Sequence, residues 1–227
     1  MSRLTAIIGT LSLAVVPSCT AERERVEQLP PSDTAAPIAL QAAGAIDQRR
    51  EPLEHFDRAR TALRARNYLT SAAALRAAAA FLRDERASAE HGTGRALSDP
   101  ANSLERLAAR VSSGIVKSPQ ELDSVFAVVH VAEADYHTRR AADAWTRRQA
   151  RRTGEELLYA ADHLERAAQD ALRDLGGLET AAVDRAREVA PYLSRGTGWA
   201  PGEIDRAIEM VMEAVGAYRS QLDSRTR

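Results

Sequence analysis

From Pro119 to Arg148 the chain has no internal Gly or Pro, and the segment opens on a proline suited to the first turn of a helix. It reads as one long helix. Leu122, Val125, Phe126 and Val129 form an apolar stripe along it at helical spacing. Aromatic residues make up only 4% of the chain and alanine is abundant, so the core is expected to be alanine and leucine at close helix spacing. That composition favours helices and argues against a sheet.

An offset of 82 sets "HFDRARTALRARN" on "HTRRAADAWTRRQ" without a gap. Under it Leu75, Ala78, Ala79 and Leu82 fall on Leu157, Ala160, Ala161 and Leu164, and Gly114 falls on Gly196. Pro119, Glu121, Asp123, Val129 and Tyr136 fall on Pro201, Glu203, Asp205, Val211 and Tyr218. One further step back carries Pro119, Glu133 and His137 onto Pro37, Glu51 and His55. The expected fold class is therefore all-α: a tandem duplication of a three-helix unit plus a C-terminal helix, packed as a bundle or short superhelix. Unit one spans about residues 37–118, unit two about 119–200, and the terminal helix about 201–224.

Within each unit the long helix is followed by a second that starts near Ser71 or Thr153. Thr153 with Glu156 has the form of a capping box, and Ser71 takes the equivalent N-cap. A shorter third helix covers Ser103 to Ser112 in one unit and Thr180 to about Ser194 in the other, with a kink expected at Pro191. Gly114 and Gly196 end them. "ALRARNYLTSAAALRAAAAF", with Asn67-Tyr68 at the bend and Ser71, Leu75 and Ala78 on the packing face, resembles the turn of a tetratricopeptide hairpin. The hairpins are also similar to those of the YfdX family of exported helical stress proteins, a resemblance that implies an exported helical protein.

The N-terminus bears on location. Leu4 to Val16 is an apolar run behind Arg3, about the length of a signal-peptide core and short of the ~20 residues of a membrane span. Val16-Pro17-Ser18-Cys19 resembles the lipobox of bacterial lipoproteins, which implies acylation of Cys19 and a membrane partner through that lipid. Residues 1–18 are then a signal peptide and 19–36, polar and rich in Pro, Ser and Thr, a flexible tether. The alternative is an ordinary secreted leader cut near Ser18 or Ala21. Cys19 is the sole cysteine, so no disulfide forms within the chain. A net charge of −1 disfavours nucleic acid as a partner.

Polar residues enter the long helix where its apolar stripe continues. His130, Glu133 and His137 lie within about 60° of one another at about 100° per residue, with Arg140 in line. Glu51, His55 and Arg58 repeat that spacing in the first copy. Two imidazoles and a carboxylate on one helix could supply part of a metal site completed by a facing helix. The competing reading has Glu133 pairing with His137 or Arg140 as a structural network. His163 stands opposite Phe81 in the repeat and reads as a packed core-edge histidine, and His91 as a loop residue. Arg139, Arg140, Arg147, Arg148, Arg151 and Arg152 form a basic cluster, either a solvated face balanced by Glu155 and Glu156 or a contact for anionic head groups. No GxSxG or SxxK occurs, and the two Gly-Thr-Gly stretches follow no strand, so no catalytic residue and no cofactor is expected. The expected function is a non-catalytic binding or scaffolding protein of the cell envelope with a protein or peptide partner. The alternative is metal or small-ligand binding by the Glu/His/Arg cluster.

Overall fold

The structure, a computed structural model, describes residues 53–224, without the side chains of residues 90–93. The expected leader, lipobox, tether and Glu51 lie outside the described residues. Those described are all-α. Helix α1 covers 53–64. It is followed by α2 (Tyr68–Ser88), a 3-10 helix (Glu90–Leu97), α3 (Ser98–Ser112), α4 (Pro119–Thr146), α5 (Ala150–Asp170), α6 (Gly177–Arg195) and α7 (Pro201–Asp223). None of the described helices is long and apolar enough to cross a membrane.

Local chemistry sets these boundaries. Ser118 is extended and accepts a hydrogen bond from the Gln120 amide at 3.2 Å, with Pro119 in the first turn, so α4 starts where the sequence places it. At the other end of α3 and α6, Gly114 and Gly196 take φ of 71° and 73°. A residue without Cβ adopts that left-handed conformation at no steric cost. The caps of the second helices differ from expectation. Asn67, not Ser71, caps α2 by accepting from the Thr70 amide at 3.1 Å, while Ser71 is buried and donates to the Ala59 carbonyl. Thr153 likewise lies inside α5, which begins at Ala150, and its hydroxyl donates to the Gln149 carbonyl, leaving Glu156 free to turn inward. The third helices start earlier than expected, at Ser98 and Gly177, and α6 runs on past Pro191 to Arg195.

Backbone geometry repeats at the 82-residue spacing. The bends before α2 and α5 are made by Arg66 and Arg148, at φ of 58° and 60°. Both helices that follow have 21 residues.

Helix α4 is the shared spine of two cores. Leu122, Phe126, Val129 and Tyr136 pack with α1, α2, α3 and the 3-10 turn. Val131, Ala134 and Ala141 pack with α5, α6 and α7. Alanines bring the helices close and buried leucines supply most of the apolar gain, about 1.5–3 kcal/mol each against exposure. The α5–α6 approach is close enough that a Cβ at Gly154 would stand 3.0 Å from the Ala190 carbonyl oxygen.

Candidate functional site

Helices α4 and α5 form an antiparallel hairpin, and a polar seam runs between them. On α4 its members stand seven residues apart: Asp123, His130 and His137, with Glu133 and Arg140 one turn beyond the two histidines. On α5 they are Glu156, His163 and Asp170, at the same interval. Two helical turns separate such residues, so each set lies along one side of its helix. Because the helices run in opposite directions, the seam forms three layers.

In the first layer Arg60 of α1 joins the two helices. Its Nε donates to Asp123 Oδ1 at 2.7 Å and a terminal nitrogen donates to Asp170 Oδ1 at 2.5 Å, with the guanidinium 4.7 Å from the Phe126 ring centre. Burial pushes the Asp170 carboxyl up to about 6 against the pull of Arg60.

The middle layer holds His130, Glu133 and His163. His163 Nε2 stands 2.9 Å from Glu133 Oε2, and the Nδ1 atoms of His163 and His130 are 3.0 Å apart, a separation that places one proton between them. His130 Nε2 faces Asp170 Oδ2 at 3.6 Å. His130 is 2% exposed and Glu133 1%. Burial, with the neighbouring His163, pushes the His130 ring down to about 3, so it is neutral at neutral pH. Burial works against the Glu133 carboxylate, yet the charge and hydrogen bond of His163 hold it below the usual range. The second oxygen, Glu133 Oε1, is buried with no hydrogen-bond partner among the described residues.

In the third layer Glu156 takes both an imidazole and a guanidinium. Its Oε2 is 2.8 Å from His137 Nδ1 and its Oε1 2.8 Å from an Arg140 terminal nitrogen. Burial holds the His137 ring below its usual value despite Glu156. Arg140 also donates to the Tyr136 hydroxyl at 3.2 Å. Half-buried Glu85 of α2 closes this end, and burial together with Glu133 pushes its carboxyl up to about 8.

The structure thus brings His130 and Glu133 together and places His137 and Arg140 one layer away. The expected pairing of Glu133 with His137 or Arg140 is replaced by Glu133 with His163, and Glu156 answers the other two. His163 is not simply a packed core-edge ring, because both of its nitrogens are engaged. In the first copy His55 is half-buried, with Nδ1 lacking a hydrogen-bond partner among the described residues, and Arg58 is exposed. His91 lies on the 3-10 helix, not in an open loop. The basic cluster at the bend is largely balanced locally: Arg139 pairs with Asp135, Arg147 with Asp143, and Arg151 with Glu155.

Arg60, Glu156, Asp170 and Glu85 are absent from the sequence-derived set. The signal that finds three of the seam's members is the seven-residue spacing of polar residues on α5, which matches that on α4. Arg60 and Glu85 carry no such signal, since only packing brings α1 and α2 to the seam.

A second feature is an open groove of about 850 Å³ between the 3-10 helix, α3, α4 and α7. Val128, Val131 and Leu222 give it apolar wall, and Arg95, Arg139 and Arg219 line it beside Asp99 and Asp135. Asp135 anchors two of these arginines, at 3.1 Å from Arg139 and 3.3 Å from Arg219.

Comparison with known proteins finds no family model that matches the chain, and no curated protein or solved structure similar to it.

Proposed function

We propose that this chain is a non-catalytic binding protein of the bacterial cell envelope, exported and held there through a lipid on Cys19, and that it grew by duplication of one helical unit. The recurrence of bends and helix ends at the 82-residue spacing supports the duplication. The observation that carries the binding role is the groove. It has half-exposed Val128, at 41% exposure, on its α4 wall and charges of both signs around it. A peptide segment with an apolar face and mixed charge fits such a surface, and helical-repeat proteins bind such segments without any catalytic group.

A photoreactive side chain at Val128, installed in the lipidated chain in its host envelope, tests this reading. One discrete adduct is expected, lost when Arg219→Glu reverses a groove charge and missing when the probe sits at exposed Ala80 on α2. The reading fails if Val128 gives no adduct, or the same adducts as Ala80.

A further inference from the structure

We propose that the middle layer of the α4–α5 seam binds one first-row transition-metal dication, zinc foremost, through His130, Glu133 and His163. One donor atom from each of the three lies within 4.8 Å of the other two. Around a tetrahedral ion with bonds of about 2.0–2.2 Å, ligand atoms stand roughly 3.3 Å apart. Two spacings already present are close to that value, 2.9 Å from His163 Nε2 to Glu133 Oε2 and 3.0 Å between the two Nδ1 atoms. They use different nitrogens of the His163 ring, so an ion takes the place of one of them and the third ligand turns in from within the 4.8 Å span.

Glu133 Oε1 is the observation that separates a site from a salt bridge. A fully buried carboxylate oxygen without a hydrogen bond costs about 1–3 kcal/mol or more when charged, so its persistence calls for a partner. A cation is a partner that needs no donor hydrogen. An ion takes over one of the two proton positions, between His163 and Glu133 or between His163 and His130, since a metal ligand must offer a lone pair where a hydrogen bond had placed a proton.

The surroundings supply the outer contacts of a metal site. Metal-bound histidines usually give their other ring nitrogen to a carboxylate, and His130 Nε2 faces Asp170, itself fixed by Arg60. Charge also fits. Arg60 answers Asp123 and Asp170 and Arg140 answers Glu156, whereas the Glu133 carboxylate is paired with no arginine among the described residues and meets only imidazoles. Two imidazoles and a carboxylate suit zinc, with copper, nickel and cobalt as competitors by affinity order. Water or the second Glu133 oxygen completes the coordination.

The test is titration of the full-length chain, stripped by chelator, with Zn²⁺ against a chromophoric chelator, and with Co²⁺ followed by its visible absorption. One ion per chain is expected, with the spectrum of four-coordinate cobalt. His163→Gln and Glu133→Gln should each weaken binding by about 100-fold or more, beyond the cost of losing an outer contact, while His137→Gln stays within about tenfold. X-ray absorption on the zinc-loaded wild-type chain needs no variant to fold. It should show two imidazoles and oxygen. Absence of stoichiometric binding, retention of full affinity by His163→Gln or Glu133→Gln, or a sulfur ligand from Cys19 overturns the proposal.

Discussion

The two hairpins, α1–α2 and α4–α5, share a bend geometry and differ in what they bury. At the positions of Glu156, His163 and Asp170, the α2 helix carries Ala74, Phe81 and Ser88. Ala74 is buried against leucine and alanine, whereas Glu156 is buried against His137 and Arg140. An apolar interface of this kind would hold the second hairpin together equally well. Buried ion pairs seldom stabilise a fold beyond well-packed apolar residues of similar volume, because desolvation offsets their attraction. Among the described residues the matched α2 positions carry no such polar set, and this contrast supports reading the seam as more than packing.

The largest expected effect falls on Glu156. Glu156→Ala gives α5 the alanine of α2 but strands His137 and Arg140, at a cost of about 3–5 kcal/mol in chemical unfolding. A cost below about 1 kcal/mol would mean that the hairpins are interchangeable and the seam is incidental. Next come the matched core leucines. Leu75→Ala and Leu157→Ala should each cost about 2–5 kcal/mol and agree with one another, since both side chains are fully buried among alanines. A large disparity would show that the two cores are not equivalent supports.

Acidity sharpens the comparison further. With its carboxyl raised to about 8 in the fold, Glu85 keeps its proton while the unfolded chain loses it near 4.5. Its contribution is thus complete below 4.5 and is lost as pH rises toward 8. Thermal melting of the metal-free chain should show Glu85→Gln more stable than wild type at pH 8, with the difference fading by pH 4.5. The smallest effect concerns the caps. Asn67→Ala removes the side-chain cap of α2 and should cost about 1 kcal/mol, whereas Gln149→Ala, at a position with no side-chain cap bond, should cost close to zero.

Much of the fold was legible because its determinants are local. Pro119 behind a serine and the glycines at 114 and 196 need no tertiary information to mark where helices begin and end. The caps at Ser71 and Thr153 misled because a hydroxyl can serve as an N-cap or donate to a carbonyl instead: Thr153 donates one turn back to Gln149, and buried Ser71 donates across to Ala59 of the preceding helix. The seam was half legible. Helical angle alone groups His130 with Glu133 and His137, since all three are on α4. Which of these meets His163 and which meets Glu156 depends on the register of two antiparallel helices, set by the bend at Arg148. Glu156 was also hidden by a plausible local role, as the third residue of a capping box.

The most direct measurement is anomalous diffraction at the zinc edge from crystals of the chain grown with one equivalent of Zn²⁺. The expected result is a single peak between α4 and α5, at about 2.0–2.2 Å from donor atoms of His130, Glu133 and His163. No peak there, or peaks only at surface carboxylates, would contradict it and leave the seam as a structural network.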